Sequence, residues 1–108
     1  YINKDIISNF KKGINFINVS RGSVVNEQDL YEALKDGTIK NACLDVFDNE
    51  PLDENSPFWS MENVYISPHI SWSSSKKSQR VFENLYENMK NFIENKPLNN
   101  IVDLNKGY

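Results

Sequence analysis

Residues 13–37 read GINFINVSRGSVVNEQDLYEALKDG, a short apolar run followed by an amphipathic helical pattern. The run at 14–19 is rich in β-branched and aromatic residues and is bounded by glycine and polar residues, so it predicts a buried strand. Asn26 is the predicted helix cap, with Asp29 three positions on as in a capping box, and Gly37 ends the helix. The inward-facing helix positions are predicted to be Leu30, Ala33 and Leu34.

The same alternation of helix and strand extends to both sides of this stretch. Asn3 is placed to cap a short helix that closes at Gly13. Residues 42–47 (ACLDVF) and 64–66 (VYI) predict a second and a third strand, and Cys43 is expected to be a small buried hydrophobe. The pattern therefore predicts an α/β fold with a parallel sheet, right-handed crossovers and helices on its faces.

After the third predicted strand the sequence favours a polar loop and one long helix. The serines of segment 71–75 are predicted to form a capping loop for the longest helix. Apolar residues recur at helical spacing over 81–93, in a stripe broad enough to indicate packing against more than this sheet. Residues 101–103 are predicted to form one more short strand.

Composition excludes several classes of protein. The 108 residues carry 12 Lys and Arg against 15 Asp and Glu, a net charge of −3 with the charges scattered, so neither nucleic acid nor an acidic membrane surface is an expected partner. No apolar run approaches the roughly 20 residues of a membrane-spanning helix. One cysteine and one histidine provide neither an internal disulfide nor a zinc site, so a cytoplasmic protein without a structural metal is expected.

Three chemically active residues follow the three predicted strands. In a parallel sheet the carboxyl ends of the strands and the amino ends of the helices meet at one edge, where ligands bind. The loops at this edge contain Arg21, Glu50 and the only histidine, His69. These side chains are therefore expected to surround one ligand.

This set of residues suits hydride transfer at a 2-hydroxy acid. His69 is the side chain whose ordinary pKa lies nearest neutrality, so it can exchange the hydroxyl proton. Glu50 can fix its tautomer and stabilise the imidazolium, and Arg21 can hold a substrate carboxylate through two parallel hydrogen bonds. Gly22 permits close backbone approach, and Asp45 is an acceptor for a nicotinamide or its ribose.

Each of these residues also has a structural interpretation when it is taken alone. Arg21 and Glu50 are common types in solvated loops, and His69 after a proline can be a satisfied structural histidine. Asp45 can cap a backbone group at the end of its strand. The combination of three residues at one edge favours the catalytic interpretation.

Four segments resemble the D-isomer-specific 2-hydroxyacid dehydrogenase family. They are INVSRGSVVNEQDLYEAL at 17–34, ACLDVFDNEPL at 42–52, NVYISPHIS at 63–71 and IVDLNKGY at 101–108. The resemblance implies that Arg21 binds substrate, that Glu50 pairs with histidine and that His69 is the general acid and base. It also implies NAD or NADP as cofactor, a small 2-hydroxy or 2-keto acid as substrate, and a homodimer. The implied cofactor contacts are Val19, Ser20, Arg21, Asp45, His69, Ile70, Ser71 and Trp72.

Two features depart from this family's pattern. The four glycines form no GxGxxG turn, so the chain is expected to be a carboxyl-terminal fragment. Residues 1–74 are expected to be the end of the dinucleotide-binding domain, and 75–108 a helix and tail that return to the substrate domain. Trp72 stands where the family carries small residues, and it is expected to reshape the pocket.

The leading interpretation is an oxidoreductase that transfers hydride between NAD(P) and a small D-2-hydroxy acid, active only as part of an intact parent. The first alternative is a non-catalytic dinucleotide-binding regulatory or interaction protein on the same fold. The second is a truncated structural module that binds nothing. The joint presence of an arginine, a glutamate and a histidine at the ligand edge favours the enzyme.

Overall fold

A computed structural model describes residues 1–107. The chain divides into two compact units, Tyr1–Trp72 and a second that begins at Ser73. The first unit contains α1 (Lys4–Ile7), β1 (Ile14–Asn18), α2 (Glu27–Lys35), β2 (Ile39–Leu44) and β3 (Val64–Ile66), with 3-10 turns at Gly22–Val24 and Pro57–Ser60. The second unit contains α3 (Lys77–Ile93).

The three strands form one parallel sheet in the order β1-β2-β3, which confirms the predicted α/β fold. β2 begins at Ile39, three positions before the predicted start, because Ile39 pairs with Ile14 and is fully buried. It ends at Leu44, so Asp45 already belongs to the loop that follows. The carboxyl ends of all three strands therefore lie at the same edge of the sheet, where the ligand is expected to bind.

Helix α2 covers one face of this sheet. Leu30, Ala33 and Leu34 are buried as predicted. The side chain of Asn26 accepts a hydrogen bond from the Asp29 N–H at 3.0 Å, which confirms the cap. The reciprocal half of the capping box is absent, because the Asp29 carboxylate accepts from the Lys4 N–H at 2.8 Å. The Asn26 N–H donates instead to the Ile2 carbonyl.

The opposite face of the sheet is exposed in the described chain. Ile17, Cys43 and Tyr65 lie side by side across the three strands, and all three are exposed. The prediction that Cys43 is buried is therefore wrong. Successive strand residues point to opposite faces, so the burial of Ala42 and Leu44 turns Cys43 outward.

The second unit confirms the predicted long helix and corrects two other predictions. The cap residue of α3 is Lys76, and no side chain caps it, so the predicted serine cap is wrong. Residues 101–103 form no strand. The Asn88 side chain instead binds both the N–H and the carbonyl of Asn99, which ties the tail to α3. Among residues 1–107, no helix combines the length and apolar character needed to cross a membrane.

Candidate active site

The loop after β1 is shaped by the buried side chain of Asn18. Its Oδ1 accepts hydrogen bonds from the Ser20 N–H at 3.1 Å and the Ser20 hydroxyl at 2.8 Å, and its Nδ2 donates to the Arg21 carbonyl at 3.0 Å. These bonds turn the chain directly before and after Arg21. Sequence reasoning did not single out Asn18, although a polar residue at an inward strand position was a usable signal.

Gly22 lets this loop lie directly against the loop that follows β2. A Cβ atom at Gly22 would stand 1.8 Å from the Phe47 carbonyl carbon and 2.2 Å from the Asp48 nitrogen. Only glycine permits so close an approach of the two backbones. The Asp48 N–H is also bound by the Glu27 carboxylate at 2.8 Å, which anchors the second loop to α2. The segments that carry Arg21 and Glu50 are therefore held together.

Glu50 and His69 are in direct contact. Oε2 of Glu50 lies 2.7 Å from Nδ1 of His69, and Oε1 accepts the Phe47 N–H at 3.1 Å. Both side chains are partly open to solvent, with 39% of His69 and 36% of Glu50 exposed. The pairing expected from the sequence is present, whereas the catalytic roles of the two residues stay predictions.

The hydrogen bonds of Glu50 decide which nitrogen of His69 carries a proton. The bond from His69 and the bond from the Phe47 N–H lower the pKa of Glu50, and the Arg21 charge adds to the effect. The ionised carboxylate can only accept, so Nδ1 of His69 must donate to it. Nε2 is then left to exchange a proton with a ligand. The guanidinium of Arg21 donates to the Ser20 carbonyl at 2.6 Å, in the loop that follows β1.

Asp45 holds the loop that carries His69. Only 3% of Asp45 is exposed, and its carboxylate accepts hydrogen bonds from the Ser67 hydroxyl at 2.5 Å and from the Ile70 and Ser71 N–H groups at 2.9 Å each. Burial alone would raise the pKa of Asp45, but these bonds outweigh it and lower the pKa well below its usual range. Asp45 therefore caps two backbone N–H groups, as one of the two interpretations from the sequence expected. Contact between Asp45 and a cofactor stays a prediction.

The other predicted cofactor residues lie along the same edge. Val19 follows β1 and is 56% exposed, so its side chain is accessible to a ligand. Ser20 is exposed beside Arg21. Ile70 is about half exposed, and Trp72 donates its indole N–H to the His69 carbonyl at 2.9 Å. The chain therefore presents an apolar patch and polar groups at one edge, a combination suited to an aromatic ring.

A cavity of about 250 Å³ opens beside the contact between Glu50 and His69. Its other walls are mostly apolar and include Phe47, Pro51, Leu52, Trp59 and Ile66. Because the two side chains are more than a third exposed, solvent still screens the interaction between them.

The lowered pKa of Glu50 predicts a pH dependence of stability. A group whose pKa is depressed by folding stabilises the folded state above its ordinary value of 4.5, and this contribution is lost as the pH falls through the lower folded value. We expect Glu50→Gln to be less stable than the wild type at neutral pH, with a difference that narrows on acidification. Urea denaturation across this range measures it. A difference that widens below the ordinary value would contradict the assignment.

The sequence that forms this site matches that of a known protein family. The sequence profile described as D-isomer specific 2-hydroxyacid dehydrogenase, NAD binding domain, matches residues 1–71. The chain belongs to this dehydrogenase family. The match covers all of β1, β2 and β3 and the loops that contain Arg21, Glu50 and His69.

Curated members of the 2-hydroxyacid dehydrogenase family are similar over much of the chain. A hydroxypyruvate reductase from Blautia hydrogenotrophica is 36% identical over 98 residues, which are 91% of this chain and 30% of that protein. A human glyoxylate reductase/hydroxypyruvate reductase is 50% identical over 68 residues, which are 63% of this chain and 21% of that protein. The chain thus spans less than a third of the length of these two relatives.

Solved structures of 2-hydroxyacid dehydrogenases share the fold. A family member from Xanthobacter autotrophicus, crystallised with NADPH and MES, has a TM-score of 0.85 and 37% identity over 99% of this chain and 43% of its own. An NADPH-dependent glyoxylate/hydroxypyruvate reductase from Sinorhizobium meliloti, in complex with NADP and sulfate, has a TM-score of 0.84 and 33% identity. That match covers 99% of this chain and 35% of the other.

Proposed function

We propose that the full-length protein containing this chain uses NADPH or NADH to reduce small 2-keto acids, such as glyoxylate or hydroxypyruvate, to 2-hydroxy acids, with the D configuration where the product is chiral. The observation that carries this proposal is the 2.7 Å contact between Glu50 and His69 at the edge that also bears Arg21. The names of the similar reductases support the substrate class.

Three residues of this chain have separate roles in the proposed reduction. When bound, the reduced nicotinamide supplies the hydride that arrives at the carbonyl carbon. Arg21 holds the substrate carboxylate and draws electron density from the carbonyl. His69 gives its Nε2 proton to the developing alkoxide, and Glu50 stabilises the imidazolium before this transfer. In the oxidative direction His69 takes the same proton back.

The nicotinamide end of the cofactor would be held by the ligand edge of the sheet. Val19 offers an apolar surface to the ring, and the Ser20, Arg21 and Asp45 region offers polar groups. Residues 69–72 would close the other side. We place the remaining part of the cofactor site, the substrate domain and the covering of the exposed apolar side chains of α3 in the rest of the full-length protein. The resemblance implies a homodimer, and the cysteine and histidine content favours a cytoplasmic location.

The direct test is an assay of the purified full-length protein. We expect glyoxylate or hydroxypyruvate to drive oxidation of NADPH or NADH, which is measured as the loss of absorbance of the reduced cofactor. The product of hydroxypyruvate should have the D configuration, whereas glyoxylate gives an achiral product. If neither cofactor is oxidised with either keto acid, or if hydroxypyruvate gives the L isomer, the proposed function is wrong.

Arg21→Lys is expected to weaken substrate binding selectively. Lysine keeps the charge but cannot form two parallel hydrogen bonds to a carboxylate, so we expect the KM for the keto acid to rise by at least about 10-fold. The KM for the cofactor should change little. Arg80→Lys is a matched control, because Arg80 lies in α3 and is the only other arginine in the sequence. Equal effects of the two substitutions would contradict the assignment of Arg21.

The 108-residue chain alone is expected to bind dinucleotide weakly or not at all. None of its four glycines forms the GxGxxG turn that cradles the pyrophosphate. Isothermal calorimetry with NADPH and NADH measures this affinity. Micromolar binding by the isolated chain would mean that the glycine turn is less important than we propose.

A further inference from the structure

The backbone of His69 adopts a conformation that side chains disfavour. Its φ is +52°, in the left-handed region that is costly for residues other than glycine. Its N–H points to two carbonyls, that of Asp45 at 2.9 Å and that of Ser67 at 3.1 Å. This conformation sets the direction in which the imidazole leaves the backbone. Surrounding contacts must hold it in place.

The carbonyl of His69 is held by a residue three positions further on. The indole N–H of Trp72 donates to it at 2.9 Å, while Asp45 accepts the N–H groups of Ile70 and Ser71 between them. His69 is thus bonded on its N–H side through Asp45 and on its carbonyl side through Trp72. The two contacts together hold the backbone of His69 on both sides.

We propose that Trp72 is a positioning residue for His69. Its indole N–H stabilises the left-handed backbone that points the imidazole toward Glu50 on one side and substrate on the other. This inference rests on the proposed acid–base role of His69. It differs from the expectation that the bulk of Trp72 reshapes the pocket, because the bulk would act on substrate binding and the hydrogen bond acts on proton transfer.

The experiment distinguishes the effect of the indole N–H from the effect of the indole ring, and it uses the full-length enzyme. Trp72 is replaced site-specifically by 3-benzothienyl-alanine, which has nearly the same shape but a sulfur atom in place of the N–H. Trp72→Phe is the second variant and also lacks the donor. For each protein we would measure kcat, KM, the D2O solvent isotope effect on kcat, the melting temperature and the hydrogen exchange of the backbone at 69–71.

We expect the isostere to lower kcat by about 10-fold, since small misplacements of a catalytic group cost rate steeply. The KM for the keto acid should stay within about twofold, because the size and shape of the side chain are kept. The solvent isotope effect should increase as proton transfer becomes slower, and exchange at 69–71 should become faster. Trp72→Phe should show the same loss of kcat and the same faster exchange.

Two results would overturn the proposal. One is a kcat, an isotope effect and an exchange rate that are all unchanged in the isostere. The other is a lower kcat with an unchanged isotope effect and unchanged exchange, because that pattern indicates a general structural role. If the wild-type enzyme turns over no keto acid, the proposed function fails, and the exchange measurement decides alone whether Trp72 holds the His69 loop.

Discussion

Replacing His69 with alanine in the full-length enzyme is expected to lower kcat by at least about 100-fold, the usual scale for removal of a general acid or base. The proton that reaches the carbonyl oxygen then has to come from water. His69 bonds Glu50 through Nδ1, which leaves Nε2 as the nitrogen available to substrate. The measurement is steady-state reduction of a 2-keto acid at saturating cofactor.

Two controls distinguish lost chemistry from lost structure. The far-ultraviolet circular dichroism spectrum of His69→Ala should match that of the wild type, which would show that the fold is retained. Glu50→Gln should lose less activity, because the imidazole stays present and only its partner is altered. Near-normal turnover by His69→Ala would remove this histidine from the mechanism and with it the role assigned to Glu50.

The second large effect is expected from Gly22→Ala. The added Cβ would stand 1.8 Å from the carbonyl carbon and 2.0 Å from the carbonyl oxygen of Phe47, atoms of a backbone that cannot rotate away. We expect the free energy of unfolding to fall by about 3 kcal/mol, toward the upper end of the range for overpacking. Activity should fall as well, because the same clash separates the loops that carry Arg21 and Glu50.

Gly13→Ala is the matched control for this substitution. Gly13 has a φ of +81° but no atom within 4 Å of its added Cβ, so alanine there tests backbone strain without a clash. We expect a loss of about 1 kcal/mol and an intact site. Chemical denaturation of both variants measures the difference. Equal losses of stability in the two variants would contradict the close approach of the loops at Gly22.

The pattern of strands and helices was predictable because it depends on local periodicity. The spacing of apolar residues predicts which side chains are buried, both in the run at 14–19 and in α2. Cys43 was mispredicted because composition indicates how apolar a residue is, whereas strand alternation decides which face it occupies. Residues 101–103 look like a strand locally, but the side chain of Asn88 binds Asn99, two residues earlier, and so ties this segment to α3.

The candidate site was predictable only in part. The rule that ligands lie at the carboxyl ends of parallel strands selected Arg21, Glu50 and His69 without any knowledge of distances. The hydrogen bonds that orient them depend on loop conformations that no periodicity encodes. The bonds of Asn18 to the Arg21 loop and of Asp45 to the His69 loop are of this kind. Sequence reasoning weighed a cofactor contact against a backbone cap for Asp45, but it could not identify the Ile70 and Ser71 N–H groups that the carboxylate binds.

A crystal structure of the full-length enzyme with its cofactor and oxamate, an unreactive analogue of a 2-keto acid, tests the central claim most directly. We predict that the guanidinium of Arg21 binds the oxamate carboxylate and that Nε2 of His69 lies within hydrogen-bonding distance of the adjacent carbonyl oxygen. Oxamate bound away from this edge of the sheet, or bound here with Arg21 and His69 turned to solvent, would contradict the account.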